Sequence, residues 1–397
     1  MACSGEAAGP PEVATLRVLM TDDWVTGPFV DAVRDFERDQ PTVRISVEKG
    51  SIRHMPDAVR AGISSGNPPD VVQGHAFSAA SQGLAEPLDD LWPGHLTAEE
   101  YFPGAVQDVT WAERIYGVPL DTNALVLIYN EDHLKQAGVS LPLGPMTFDD
   151  FRNLARALTP ADGSRRAIAM PTSTWWTHGW VSANGGELVT SAPDGTPRFA
   201  LDSPRAVEAI DFLAGLVRDG LAYPPRAADV GAADAVALFQ AGQTSLLVSG
   251  SWEIPKLREA SAGPFGTTLM PRGTTGTTAG SAMGGSSMWV PKGAKNRKLA
   301  FDFMVHLTSD RYALRFAKEQ GRLPARPRVL GDPFFDDPNL KTFLEQARTA
   351  QPETLGAFLE PTKLFAGAID EALRQGKDAG AALRQAQVQA QAAPAGA

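Results

Sequence analysis

The segment Ile115-Tyr-Gly-Val-Pro-Leu-Asp-Thr-Asn-Ala-Leu-Val-Leu-Ile-Tyr-Asn130 carries two apolar runs on either side of a polar trio, Asp121-Thr122-Asn123. The second run, Ala124 to Tyr129, is long and hydrophobic enough for a buried strand. A surface hairpin would alternate polar and apolar residues here. This stretch instead reads as chain leaving one core, crossing a short polar connection and entering a second core. Residues at such a crossing lie where two lobes face each other, a common place for a small-molecule site.

Bulk composition agrees with two cores. A chain of 397 residues is too long for one ordinary core and suits two domains of about 150 to 200 residues. Its net charge of −10 is spread rather than blocked, which leaves no basic patch for nucleic acid. No apolar run approaches the ~20 residues of a membrane helix. The only cysteine is Cys3, so there is neither an intrachain disulfide nor a cysteine metal cluster. It is followed by a polar stretch, Ser4 to Glu12, with no core-forming pattern. Two readings of Cys3 stand: a stray thiol in a tail, or a lipid-modified cysteine with a short tether behind it.

On the N-terminal side the pattern is strand, helix, strand, helix, strand: Ala14 to Met20, Pro28 to Asp39, Val43 to Val47, Met55 to Ile63, then Val71-Val72. This order predicts a mostly parallel sheet covered by helices. Binding residues in such sheets gather beyond the C-terminal ends of the strands. Here those are Asp22, Asp23 and Trp24, then Ser51 and Arg53, then Gln73, Gly74 and His75.

Beyond the organising segment, Thr147-Phe-Asp-Asp150 fits a capping box, and Ser203-Pro204 opens a long helix ended by Gly220. Thr172 to Trp180, the densest aromatic cluster, reads as a loop opening from a brief strand at Ala167 to Met170. Thr244 to Val248 is a buried strand leading into Ser249-Gly250-Ser251-Trp252. A Gly/Thr-rich stretch, Arg272 to Ser287, has no periodicity and reads as a flexible or extended loop. Four helices follow between Ala294 and Gln375, a further one runs from Asp378, and the Ala/Gln-rich end from Gln385 reads as a fraying tail.

The sequence holds no His-Glu-x-x-His, no Gly-x-Ser-x-Gly and no glycine-rich phosphate loop, and its six histidines never come at paired ligand spacing. Asp22, Asp23, Asp70, Asp121 and Glu253 would formally supply the carboxylate pair of a glycosidase. Sugar binding fits the residues better. A pyranose has an apolar face that suits tryptophan and a rim of hydroxyls that suits Asp, Asn, Glu and Arg. Trp24, Trp175, Trp176 and Trp252 stand beside small or polar residues just after predicted strands, whereas Trp289 sits in an apolar run. Asp121, a carboxylate between two apolar runs, needs a partner or a polar cleft. His75 and Arg322 are further candidates for hydroxyl contact.

Several motifs together resemble the extracytoplasmic solute-binding proteins of bacterial ABC sugar importers, the group of maltose- and glycerol-phosphate-type binding proteins. They are Asn67-Pro-Pro-Asp-Val-Val72, Tyr116 to Asn130, Met146-Thr-Phe-Asp-Asp-Phe151 and Ala183-Asn-Gly-Gly186, then Phe239-Gln-Ala-Gly-Gln-Thr244, Gly250-Ser-Trp252, Gly284-Gly-Ser286 and Trp289 to Asn296. The resemblance covers roughly residues 14 to 385. It implies an α/β protein of two lobes joined by crossing strands, with ligand trapped between them by hinge closure and no catalysis or cofactor.

The resemblance also implies segment roles: 1–13 a tether, 14–120 the first lobe, 121–287 the second, 288–325 a return to the first, 326–385 helices of the second, and 386–397 a tail. Cleft positions of the family map onto Trp24, His75, Asp121, Trp175 or Trp176, Gly250, Trp252, Gly285 and Arg322; Asp23, Ser51, Arg53 and Ser286 complete the candidate set. The adjacent Trp175-Trp176 pair leaves open which ring faces the sugar. Implied partners are a carbohydrate, the importer's membrane permease subunits and, through Cys3, the outer face of the cell membrane, for a monomer that binds no nucleic acid. The alternatives are a glycerophosphodiester or sugar-phosphate binder using Arg53 or Arg322, and a secreted carbohydrate-active enzyme.

Overall fold

A computed structural model describes residues 13–51, 54–141, 143–171, 173–191, 197–226, 233–260, 263–274 and 280–392. Cys3, Arg53 and the middle of the Gly/Thr-rich stretch lie outside the described residues. Strand Ala14–Thr21 is the centre of the N-terminal part, pairing in parallel with Val43–Gly50 on one side and Val71–Gly74 on the other. Helices Gly27–Asp39 and Met55–Ser64 make the crossovers. Pro28 sits in the first turn of Gly27–Asp39, where its missing N–H costs nothing, and Phe29, Ala32 and Phe36 bury that helix's inner face. Two later strands close the sheet: Ser287–Trp289 lies antiparallel between Val71–Gly74 and Gly117–Pro119.

The second lobe is built on Val126–Asn130, the central strand of an antiparallel trio with Leu246–Ser249 and Phe265–Thr268. A four-stranded sheet beside it has the order Leu323–Pro324, Asp121–Ala124, Ser281–Gly284, Ala350–Pro352. The capping box forms as read: the Thr147 hydroxyl accepts the Asp150 N–H at 3.2 Å, and Asp150 accepts the Thr147 N–H at 2.9 Å. Ser203 likewise caps Pro204–Arg218. One large core gathers Leu125, Leu127, Phe151, Ile210 and Ile369; a separate one gathers Leu16, Val71, Val118, Trp289 and Phe301. The organising segment contributes to both, because Val118 and Leu120 belong to one core and Leu125, Leu127 and Tyr129 to the other.

Two sequence expectations change. The chain does not fray from Gln385: helix Ala379–Ala392 buries Ala386, Gln387 and Ala390, and the Gln387 carboxamide oxygen accepts the Leu201 N–H at 2.7 Å. The aromatic cluster is not a loop from Thr174 onward, because residues Thr174–Ala183 form a helix. Its packing on strand Ser281–Gly284 and helix Pro204–Arg218 overrides the weak local propensity of consecutive aromatics and threonines.

The chain passes between lobes at neighbouring points. The turn from Gly117–Pro119 into Asp121–Ala124 runs beside the turn from Ser281–Gly284 into Ser287–Trp289, and the Leu120 and Asp121 N–H groups both donate to the Ser286 carbonyl. Gly285 takes a φ of 135°, and a Cβ there would stand 2.5 Å from the Asp121 carbonyl oxygen. Only glycine fits this approach. A third passage follows helix Asp310–Gln320, where Phe316 packs in the first core before Leu323–Pro324 pairs with Asp121 and Thr122.

Candidate functional site

Asp121 is 4% exposed and sits at the junction of all three passages. Its Oδ1 accepts the Ser286 N–H at 2.6 Å and its Oδ2 accepts Asn123 Nδ2–H at 3.1 Å. From there a polar chain runs both ways. Gln73 Nε2 donates to the Ser286 hydroxyl at 3.1 Å, while Gln73 Oε1 accepts from the Thr21 N–H and hydroxyl. On the other side the Ser251 hydroxyl lies 2.6 Å from both the Asn123 side-chain oxygen and the Gly321 carbonyl. Burial pushes the Asp121 carboxyl up to about 7, against the attraction of Arg322 and the hydrogen bonds from Ser286 and Asn123.

Arg322 and Asp23 form an ion pair, and the Arg322 guanidinium lies 4.8 Å from the Trp24 ring centroid. Trp24 is 1% exposed, with Phe316 edge-on at 4.9 Å. The expectation that Trp24 presents a stacking face changes accordingly: its ring is core, roofed by a cation. A short polar turn after a strand gave no sign that the side chain folds back under Arg322.

Trp175 and Trp252 do come together, with ring centroids 6.0 Å apart and planes tilted by 35°. Trp176 stands edge-on to Trp175 at 4.6 Å. Trp175 Nε1–H donates to the Met283 carbonyl and Trp176 Nε1–H to the Val248 carbonyl, so both rings are fixed by main-chain bonds. Gly284 and Gly250 leave the room that the Trp175 and Trp252 rings occupy. Of the adjacent pair, Trp175 is the one beside Trp252 and beside the small void shared with His75 and Asp108.

His75 faces a cluster that sequence reading missed. Its Nδ1 lies 2.7 Å from Asp108 Oδ1, and Glu353 lines the same void of about 70 Å³. Burial works against a charged imidazole, but the Asp108 carboxylate, with smaller help from Glu353 and Asp121, holds its pKa above the ordinary value. Burial pushes Glu353 up to about 8, and its Oε1 has no hydrogen-bond partner. Glu353 stands in the second lobe and His75 in the first, in neighbouring segments tied by hydrogen bonds from Ser78 to the Gly356 carbonyl and from Ser81 to the Ala357 carbonyl. Asp108 ends an unremarkable short helix, and Glu353 lies in an irregular stretch. Only tertiary contact gives them meaning, so no local signal marks them.

Ser51 is exposed, and its carbonyl accepts the His54 and Met55 N–H groups at the start of a helix. Ser286 and Gly285 belong to the crossing rather than to an open face.

The model of the bacterial extracellular solute-binding proteins matches residues 31–342. The chain belongs to that family. This solute-binding protein is 23% identical over 362 residues to the galactooligosaccharide-binding protein of Bacillus subtilis, covering 87% of this chain and 83% of that one. Among solved structures it is similar to an ABC substrate-binding protein of Listeria monocytogenes in complex with cycloalternan, with a TM-score of 0.83, 18% identity, and coverage of 96% and 99%. It is also similar to UgpB of Mycobacterium tuberculosis in complex with glycerophosphocholine, with a TM-score of 0.81, 19% identity, and coverage of 97% and 98%. These likenesses establish the bilobed α/β fold of the solute-binding protein. Its candidate residues then fall into a buried crossing group around Asp121 and a lobe-facing group around Trp175, Trp252, His75 and Glu353.

Proposed function

We propose that this protein binds an uncharged sugar of two or more units between its lobes and delivers it unchanged to the membrane subunits of an ABC importer. The Trp175–Trp252 pair carries this reading. Two large rings, one held by its indole N–H, form a rigid platform for the C–H face of a pyranose at small entropic cost. His75, Asp108 and Glu353 beside it supply donors and acceptors from both lobes. Ligand contacts made from both sides stabilise the closed arrangement and shift the hinge equilibrium toward it. The names of relatives that bind galactooligosaccharides and maltooligosaccharides support the sugar class.

The charge around the cleft argues against a phosphodiester. His75 is already paired with Asp108, and Arg322 with Asp23 and the Trp24 ring, so both cations beside the cleft are committed before a phosphate arrives. Lipidation of Cys3 would hold the monomer at the outer face of the membrane, as part of the same proposal. Intrinsic tryptophan fluorescence against mono-, di- and oligosaccharides and glycerophosphodiesters tests it. Saturable change with one sugar class supports the reading. A response to phosphodiesters alone, or product formation from a bound sugar, overturns it.

A further inference from the structure

Two segments from different lobes touch near the Trp175 ring. Ser78 and Ser81 of the first lobe donate to the Gly356 and Ala357 carbonyls of the second, and Trp111 stands edge-on to Phe358 at 6.1 Å. None of these contacts titrates. The void of about 70 Å³ that Ser78 and Gly356 help to line holds three groups that do: His75 and Asp108 from the first lobe, Glu353 from the second.

Asp108 is matched by His75, whose Nδ1 lies 2.7 Å from its Oδ1. Glu353 is not matched. Gly356 gives its carboxylate a main-chain hydrogen bond, but Oε1 is shut off from water and has no partner. No lysine or arginine is among the residues that line the void. Asp121 adds negative charge on the His75 side, and Arg322 is paired with Asp23. On the second-lobe side stand Trp175, Met283 and Pro352, with His178 of the same helix as Trp175 kept neutral, its pKa pushed down to about 4 by burial. Two carboxylates thus share one imidazole, and that imidazole, with its side chain 40% exposed, is partly screened by water. An ionised carboxylate with a bare buried oxygen is costly. Protonation removes the cost. Separating the lobes removes it too, because the His75, Ser78 and Asp108 cover then leaves Glu353 to water.

We propose that lobe contact is proton-linked: Glu353, set across from His75 and Asp108, takes up a proton as the lobes meet, so that acid favours the closed arrangement and base the open one. Burial holds Glu353 at about 8 in the contact, against an ordinary 4.5, so its contribution is complete below pH 4.5 and is lost as pH rises to about 8. His75 acts in the same sense, since Asp108 outweighs burial and keeps its pKa above the ordinary value. By linkage, whatever the lobes capture is held more tightly in acid. The inference needs two lobes that separate and assumes nothing about the ligand.

Double electron–electron resonance on the full chain, with no ligand added, tests it. Nitroxides go on Ser65→Cys and Asp211→Cys, exposed positions on the two lobes, in a Cys3→Ser background. The population at the distance of the present lobe arrangement should fall relative to the open one by roughly ten-fold or more between about pH 5.5 and 7.5. Glu353→Gln, which keeps the shape of the protonated acid, should lose most of this response. Asp121→Asn should retain it, because that carboxyl lies within the crossing turns and not across the contact. A distance distribution independent of pH, a response unaltered in Glu353→Gln, or one abolished in Asp121→Asn would overturn the proposal.

Discussion

The Asp121 carboxylate accepts the Ser286 N–H at 2.6 Å, so a side chain on one lobe-crossing turn clasps the main chain of the other. The burial of this carboxyl, which outweighs the Ser286 bond, makes stability depend on pH. Asp121 titrates at about 7 when folded, against an ordinary value of 3.8. Between those values the folded chain holds a proton that the unfolded chain has lost, so stability falls as pH rises through that window. The slope is at most about 1.4 kcal/mol per pH unit. Glu353, raised from 4.5 to about 8, acts in the same sense. His178, lowered from 6.5 to about 4, acts oppositely, costing stability as pH falls below 6.5. Asp121→Asn isolates the first contribution: in urea melts the variant should gain on wild type from pH 4 to 7 and hold a constant difference above. A difference independent of pH would show that Asp121 is not held protonated.

Gly285→Ala should lower stability by about 2–3 kcal/mol, because the new Cβ meets the Asp121 carbonyl oxygen and the backbone conformation is one that only glycine adopts readily. Chemical denaturation measures it. A loss under about 0.5 kcal/mol, the size of an ordinary surface change, would mean the crossing turns separate easily.

Arg322→Met removes the cation over Trp24 and the partner of Asp23. Acrylamide quenching of Trp24, read in a background with the other tryptophans replaced or by comparing total quenching, should rise. The Asp121 carboxyl should titrate still higher, since Arg322 is the largest influence holding it down. Unchanged quenching would place the Trp24 ring's protection wholly in Phe316 and the core.

Trp175→Ala and Trp252→Ala should each weaken sugar binding by roughly 10- to 30-fold, about 1.4–2 kcal/mol, as expected for an aromatic anchor. Trp176→Phe, at the ring that lies edge-on behind Trp175, should change affinity by less than about three-fold. Calorimetric titration of the sugar found by fluorescence checks all three. Equal losses at Trp175 and Trp176 would move the platform to both rings.

The strands and helices with strong periodicity were legible from residues alone. Val126–Asn130 reads as buried because its five residues are all apolar or at the strand end, and Phe148–Leu158 announces itself by its capping box. Asp121 was legible too, since an acid between apolar runs demands an explanation. The packing of Trp24 is not legible, because its neighbours in sequence are polar while its neighbours in space are Phe316 and Arg322, about 300 residues away along the chain. Helix Thr174–Ala183 is not legible in the sequence, because its aromatics and threonines are weak helix formers and its stabilising partners arrive from Ser281–Gly284. Asp108 and Glu353 carry no motif. Their roles come from meeting His75, which is a property of the assembled lobes.

Strand Ser287–Trp289 sits between Val71–Gly74 and Gly117–Pro119, and this placement governs how the molecule can be made. Until that strand has left the ribosome, the two flanking strands lack their shared neighbour, and the first lobe cannot be completed. The long separation of these partners slows folding. For a protein that works outside the cytoplasm, the delay is useful: a nascent chain that stays unfinished for most of its synthesis remains available for threading through a secretion channel.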